Sequence, residues 1–230
     1  MKKLLLTFLG FFILCAFTGF NPEDIAALEK GIQQVKQEQD PSKDLCEALE
    51  RKDQVAVVNI LDDNRNLVNM DCDGFPPLAY ALYYKFQEDV IEFLLDIGAK
   101  ADAKVKGLYI FQSAVETNNP KIVELMLQHG AKPRMTDKED GEFRTLEYAI
   151  YPSGNVKIVR LLADKVENLN TIVDGKTILD FATDAGAMVI AATKKRTGED
   201  SHESKMVEQK YLTILRILKE NGAKNAKDLN

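Results

Sequence analysis

Few side chains in this sequence could act as catalysts or metal ligands. The 230 residues include no tryptophan and only two histidines, His129 and His202. His129 ends an amphipathic segment, where we expect a contact with a helix end, and His202 lies in the polar stretch KKRTGEDSHESK, where we expect exposure to solvent. The acidic run DKEDGE at 137–142 lacks the ligand spacing of a calcium-binding loop, so we interpret it as a solvated turn.

The short motifs that organise catalytic groups are also missing from the sequence. It contains no H-E-x-x-H, no C-x-x-C, no G-x-S-x-G and no glycine-rich phosphate loop. We therefore predict a protein that is not an enzyme and that uses neither a cofactor nor a metal ion.

Composition and charge restrict the partners. Hydrophobic residues make up 45% of the chain and charged residues 29%, which is typical of a globular protein. The net charge of −6 becomes −8 when the two positive charges of Lys2 and Lys3 are removed. Since an acidic chain is repelled by phosphate backbones, we do not expect a nucleic-acid partner.

The first 20 residues have the layout of a secretory signal peptide. The basic start MKK precedes 17 mostly apolar residues, LLLTFLGFFILCAFTGF, and a polar segment follows. An uncleaved anchor is an alternative, but the run is short for a membrane span. A lipoprotein site at Cys15 is another alternative, but large residues precede that cysteine. We expect cleavage between Ala16 and Phe20, a periplasmic or secreted protein, and no membrane association after cleavage.

Export changes how the remaining cysteines, Cys46 and Cys72, are interpreted. In an oxidising compartment two cysteines are candidates for a disulfide, and the alternative is a pair of small buried thiols. Sequence alone leaves both open.

A repeated phrase indicates the elements that position these residues. VIEFLLDIGAK at 90–100 recurs as IVELMLQHGAK at 122–132, IVRLLADKVEN at 158–168 and ILRILKENGAK at 214–224. The apolar residues of each phrase lie on one helical face. Before each phrase comes a turn and a second, shorter helical pattern, as in DCDGFPPLAYALYY at 71–84 and DGKTILDFA at 174–182. A helix pair recurring at such a period predicts a stack of units.

These units resemble the ankyrin repeat, whose pattern runs D-x-x-G-x-T-P-L-H-x-A-A and continues into an I-V-x-L-L-L helix and G-A. The resemblance implies an all-α solenoid of about five helix-turn-helix repeats with short hairpin turns over residues 43–230. The repeats would occupy about 43–70, 71–103, 104–136, 137–170 and 171–230. We assign residues 1–20 to the signal peptide and 21–42 to an N-terminal helix that caps the first unit, with a free helix as the alternative.

The sequence departs from the ankyrin pattern at three places. The histidine of T-P-L-H is replaced in every unit, in turn by Cys46, Ala79, Gln112, Glu147 and Asp180. Val166 replaces the glycine of the fourth unit. The fifth unit carries about two dozen extra residues, which we expect to lengthen both of its helices up to a polar tip.

The resemblance brings the two cysteines close together. Cys46 would begin the inner helix of the first unit, and Cys72 would lie in the turn between the first two units. A disulfide here would close a loop of about 25 residues and stabilise the fold by roughly 3 kcal/mol.

Ankyrin stacks bind proteins with their turn tips and inner helices, which together form a concave face. Register along the repeats places exposed residues on this face, including Thr117, Asp184 and Ala185. Large apolar groups exposed in a row are typical of a protein interface. The residues that we predict to contact a partner are Phe75, Tyr83, Tyr84, Leu108, Glu116, Phe143, Arg144 and Tyr151. The alternative is that some aromatic residues, notably Phe86 and Tyr109, pack between units.

The resemblance and the expected compartment suggest a non-catalytic binding module that captures an exported envelope enzyme. The arrangement is similar to the periplasmic ankyrin-repeat immunity proteins of predatory bacteria, which block their own D,D-endopeptidases. We therefore expect an inhibitor that covers the active site of a peptidoglycan hydrolase. The alternatives are a secreted effector that binds a host protein and a periplasmic scaffold or chaperone for a stress enzyme.

Overall fold

A computed structural model describes residues 40–133 and 145–229, together with Ala26, Ala27 and Lys30. The chain divides into two compact units, residues 1–44 and 45–230. In the first unit Ala26, Ala27 and Lys30 are helical. The predicted signal peptide and most of the predicted cap segment lie outside the described residues.

The described chain consists mainly of helices that follow one another in pairs, as the repeated phrase predicts. The pairs are α1 (Pro41–Glu50) and α2 (Gln54–Asp63), α3 (Pro77–Tyr83) and α4 (Glu88–Asp96), α5 (Ile110–Glu116) and α6 (Pro120–Gln128), α7 (Thr145–Ile150) and α8 (Val156–Ala163), and α9 (Ile178–Thr197) and α10 (His202–Glu220). Short 3₁₀ helices occupy Arg65–Leu67 and Ala226–Asp228.

Tight hairpins precede the first helix of three pairs, α3, α5 and α9. Strands β1 (Lys104–Val105) and β2 (Leu108–Tyr109) pair antiparallel. Single bridges join Cys72 to Phe75 and Val173 to Lys176 in the corresponding places. Both central residues of each turn have positive φ, for example 54° at Asp73 and 87° at Gly74. This is the turn geometry that matches the twist of a hairpin, and it explains the Asp-Gly pairs of the sequence.

The helix pairs stack in two layers over residues 45–230. In the inner layer α3 packs on α5, α5 on α7 and α7 on α9, and in the outer layer α2, α4, α6, α8 and α10 pack in order. One continuous apolar core runs from Leu45 to Ala223 through all five pairs. The all-α repeat architecture predicted from the sequence is therefore confirmed.

The recurrent Gly-Ala-Lys sequence ends the outer helices and also links neighbouring pairs. Gly98 takes φ of 101°, a left-handed conformation that favours glycine, and the Ala99 amide then donates to the Leu94 carbonyl at 2.9 Å. The side chain of Asn69, one pair earlier, accepts from the Lys100 amide at 2.9 Å and donates to the Gly98 carbonyl at 2.8 Å. These bonds satisfy backbone groups that the helix end leaves unpaired.

The same link recurs along the stack. Asp102 accepts from the Lys132 amide at 3.2 Å, and Asn170 accepts from the Lys224 amide at 2.7 Å. Asn170 also donates to the Gly222 carbonyl at 3.1 Å. A polar side chain of one pair therefore caps the outer helix of the next pair. No motif of the sequence predicts this link.

The insert of the fifth unit lengthens α9 and α10 to 20 and 19 residues, as expected. Tyr211 of α10 is buried, and its hydroxyl donates to the Ile150 carbonyl at 3.0 Å. Its ring lies against Gly186, where an added Cβ would be 3.0 Å from the ring. The ammonium group of Lys210 donates to the Ser153 carbonyl at 2.8 Å. The last helix is thus bonded to the end of the fourth unit's inner helix and to the turn after it.

One expectation for the insert region is wrong. Ala185 was predicted to be exposed because the inner helices of other units end at that position. Since α9 continues for three further turns, Ala185 lies on its packed side and is only 4% exposed. Asp184, the preceding residue, is exposed as expected.

Candidate functional site

The predicted partner-binding residues differ in how much of their surface is exposed to solvent. Tyr83, at the end of α3, is 75% exposed, whereas Leu108 in its hairpin and Tyr151 after α7 are 42% and 41% exposed. Glu116, the last residue of α5, is also exposed. All four lie at hairpins or at the ends of inner helices.

The remaining predicted residues behave differently. Phe75 and Tyr84 are half-buried rather than fully exposed. Phe86 is buried at 4% exposure and Tyr109 is half-buried, as expected for rings that pack between units. Two further predicted residues, Phe143 and Arg144, lie outside the described residues.

Three rings of the second pair, Phe75, Tyr80 and Tyr84, form a row, and Tyr83 packs against Tyr84. We call these four residues the aromatic ladder and define Phe75 and Tyr84 as its two ends. The Phe75 and Tyr80 centroids are 5.8 Å apart, edge to face, and those of Tyr80 and Tyr84 are 5.9 Å apart. Tyr83 meets Tyr84 edge to face at 5.1 Å. Ring pairs at these separations attract one another, so the ladder is fixed before any partner arrives.

Tyr80 is the member that sequence reasoning missed. It lies inside α3 and is half-buried. Its spacing of four residues from Tyr84 places the two rings on one side of the helix, and this spacing could have indicated the contact.

A lysine lies over each end of the ladder. The Lys106 ammonium nitrogen is 4.1 Å from the centre of the Phe75 ring, and that of Lys52 is 4.3 Å from the centre of the Tyr84 ring. These are distances at which a cation is attracted to the face of a ring. Among the described residues, neither lysine forms an ion pair with a carboxylate.

Acidic side chains lie near Tyr80. Partial burial raises the pKa of the Tyr80 hydroxyl, and the nearby charges of Asp73, Glu50 and Asp71 raise it further. The Asp71 carboxylate already accepts a hydrogen bond from the Gly74 amide in the turn. The field is therefore negative near Tyr80, whereas a positive group lies at each end.

Local structure holds the ladder in place. The Phe75 ring projects from the hairpin in which Cys72 and Phe75 exchange two backbone hydrogen bonds, of 3.0 and 3.1 Å. Cys72 is joined by a disulfide to Cys46 of α1, with their Cα atoms 5.4 Å apart. Pro77 then starts α3 with its fixed φ and carries Tyr80 toward the Phe75 ring.

The residues at the ankyrin histidine position link separate segments of the chain in two units. Cys46 bonds covalently to the next turn, and Asp180 accepts from the amides of Thr177 at 3.0 Å and Ala226 at 2.9 Å. Hydrogen bonding from the Thr177 backbone is the main reason why the pKa of Asp180 is lowered, and the Ala226 amide adds to the effect.

In the third unit the corresponding residue faces the candidate surface. The Gln112 side chain donates to the Glu116 carboxylate at 3.0 Å and also hydrogen-bonds Tyr148 of α7. Burial raises the pKa of Tyr148, and the charges of Glu116 and Glu147 act in the same direction. This part of the surface, beside the exposed Tyr151, is polar and acidic.

The described residues show no group of three or more histidine, cysteine or acidic side chains placed to hold a metal ion. The Nε2 atom of His129, at the end of α6, lies 3.5 Å from the Asp96 carboxylate, and His202 is exposed at the start of α10. Across residues 40–133 and 145–229, no helix combines the length and apolar character that a membrane span requires.

Comparison with known proteins identifies the fold. No family model matches the chain, and no curated protein does. The chain is similar to the crystal structure of EF0377, an ankyrin repeat protein, with 24% identity and a TM-score of 0.56 over 80% of this chain and 88% of that chain. The fold is therefore an all-α ankyrin-repeat solenoid.

Proposed function

We propose that this protein is a non-catalytic binding module that works outside the cytoplasm and captures another protein through its inner helices and hairpin tips. The observation that carries the proposal is the aromatic ladder, in which Tyr83 leaves 75% of its surface in water. A polar residue could replace the tyrosine at this helix end at no cost to the fold. Exposed tyrosines are enriched in protein-binding hot spots.

Two features support a site of action in the cell envelope. The first 20 residues have the pattern of a secretory signal peptide. The disulfide between Cys46 and Cys72 suits an oxidising compartment, since cytosolic thiols are normally kept reduced. Both features are typical of a periplasmic or secreted protein.

The proposed role is that of an inhibitor or self-protection protein for an exported enzyme such as a peptidoglycan hydrolase of the D,D-endopeptidase class. A row of rigid helix pairs can cover a cleft without rearranging, which keeps the entropic cost of binding low. The similarity to periplasmic ankyrin-repeat immunity proteins suggests this enzyme class.

The proposal is tested by capture from an envelope extract of the producing cell. Immobilised wild-type protein is compared with a Tyr83→Ala variant and with a Leu212→Ala control, which truncates a residue of α10 that is 53% exposed away from the ladder. We expect one protein to be captured by the wild type and the control and to be reduced at least tenfold with Tyr83→Ala, which corresponds to about 1.4 kcal/mol. Equal capture by all three would show that the ladder is not the interface.

Inhibition is measured separately from capture. The captured enzyme is purified and its release of soluble peptides from peptidoglycan is followed with increasing amounts of this protein. We expect complete inhibition near one equivalent. Capture without inhibition would support the proposed binding module and contradict the proposed inhibitory role.

A further inference from the structure

We infer that the partner docks an extended segment with an apolar middle and a carboxylate at each end, and that Lys52 and Lys106 select those carboxylates. The inference rests on the proposed capture of a protein through the aromatic ladder and specifies the chemistry of the captured segment. It follows from the order of charges along the ladder.

The two lysines are available to a partner. Each ammonium group rests on a ring face, 4.3 Å from the Tyr84 centre and 4.1 Å from the Phe75 centre, and neither is ion-paired within the described chain. A carboxylate forms a stronger, charge-assisted hydrogen bond with an ammonium group than a ring face does. A partner carboxylate can therefore bind either lysine without breaking an ion pair.

The two ladder lysines are opposite in charge to the protein as a whole. The chain carries a net charge of −6, so an acidic partner segment would be repelled by most of the surface. The two ladder ends are sites at which it would be attracted. This contrast orients the bound segment and disfavours partners whose acidic groups are arranged differently. Charge patterns give specificity in this way.

The middle of the ladder disfavours a carboxylate. The Tyr80 and Tyr84 rings lie between the two lysines with their centroids 5.9 Å apart, so an apolar side chain could pack against them. Asp73, Glu50 and Asp71 lie near enough to raise the pKa of the Tyr80 hydroxyl, and their charges would repel an acidic group there. The segment should therefore be acidic, apolar and acidic in that order.

The ladder also sets the length of the segment. The successive steps of 4.1, 5.8, 5.9 and 4.3 Å limit the distance between the two ammonium groups to about 20 Å, which about six extended residues span. Because this distance is an upper limit, the two carboxylates should belong to residues no more than about five positions apart.

Three blocked hexapeptides provide the test. The first, Glu-Ala-Leu-Leu-Ala-Glu, has the inferred order; the second, Ala-Leu-Glu-Glu-Leu-Ala, has the same composition with the acids in the middle; the third replaces both acids of the first by glutamine. Each is titrated into the oxidised full-length protein at low salt, and the ring resonances of Phe75, Tyr83 and Tyr84 are followed by NMR. We expect the first peptide to bind at least fivefold more tightly than either of the others.

The same titrations are repeated with variants. The Lys52→Gln/Lys106→Gln double variant should bind the three peptides equally, and the Lys157→Gln control, which changes an exposed lysine of α8, should keep the preference of the wild type. Equal affinities in the wild type, a preference that survives the double variant, or no chemical-shift change up to millimolar peptide would overturn the inference.

Failure here is distinguishable from failure of the proposed function. If Tyr83-dependent capture from the envelope extract is observed while the peptides show no charge order, the binding module stands and the inferred segment is wrong. If neither is observed, the ladder is not a binding surface, and both fail.

Discussion

The disulfide between Cys46 and Cys72 should contribute a large share of the stability of the first helix pair. The bond connects α1 to the hairpin before α3 over a sequence separation of 26 residues. Loop-closure entropy for a ring of this size predicts a stabilisation of about 3.5 kcal/mol at 25 °C. Because ankyrin units are held mainly by their neighbours, the loss should appear first in the terminal pair.

The measurement compares three samples of the protein: oxidised, reduced with a phosphine, and a Cys46→Ala/Cys72→Ala variant. Urea unfolding followed by circular dichroism gives the overall loss, and hydrogen exchange resolved by segment gives its location. We expect an early unfolding transition in the reduced and variant proteins, with residues 45–68 losing protection before α5 to α8. The variant also removes packing at Cys72, which is 2% exposed, so the reduced wild type isolates the effect of the bond.

Stabilisation of the first pair by the disulfide is ruled out if reduction leaves the urea midpoint and the exchange of residues 45–68 unchanged. Such a result would mean that the packing of α2 on α4, together with the hairpin bonds, already holds the first pair in place. Equal loss of protection along the whole chain would instead show that the stack unfolds as one cooperative unit.

Three further changes test other links of the stack. Gly186→Ala should destabilise the protein by about 1–3 kcal/mol, because the added Cβ meets the Tyr211 ring, which its hydrogen bond holds in place. Asn69→Ala should cost about 1–3 kcal/mol, because the Lys100 amide and the Gly98 carbonyl lose their partner. The pKa of Asp180 is lowered by folding, so its contribution is fully present above the ordinary carboxyl pKa and is lost as the pH falls through the lowered value. The difference in stability between wild type and Asp180→Asn should accordingly shrink in acid.

The effect of each substitution on stability is measured by urea unfolding, and a specific result would contradict each prediction. No change for Gly186→Ala would mean that the ring can move aside, and no change for Asn69→Ala would mean that water replaces the side chain at the helix end. A difference for Asp180→Asn that is constant between neutral pH and about pH 3 would show that the carboxylate charge is unimportant.

The repeated elements were predictable because their physical signals are local. The Asp-Gly pairs at 73–74 and 174–175 predict the hairpins, since both residues must take positive φ. The apolar spacing within 90–100 and 122–132 predicts α4 and α6, and the glycines predict where these helices end. The lengthened α9 and α10 followed from helical patterns on both sides of the polar insert.

The links between pairs were not predictable because they have no local signal. Asn69 and Asn170 are single polar residues in connecting segments, and nothing near them in the sequence shows that they cap a helix 30 or more residues away. The wrong prediction that Ala185 is exposed has a related cause. The inner helices of other units end at this position, whereas α9 continues.

The candidate surface was only partly predictable. Register identified Tyr83 as exposed, but it did not show that the Phe75 ring of the hairpin meets Tyr80 of the helix, or that Lys52 of the first unit lies over Tyr84 of the second. The choice of partner-binding residues stays a prediction until binding is measured.

The lengthened hairpin of α9 and α10 offers a convenient attachment point for reporters. Gly198, Glu199 and Asp200 are all exposed between the two helices, while the buried Ser204 hydroxyl donates to the Glu199 carbonyl and closes the turn beneath them. Exposed tips of this kind tolerate added sequence well. An epitope or a fluorescent label inserted after Asp200 would leave the ladder residues unmodified, so that one tagged protein could serve for immobilisation, imaging and affinity measurement.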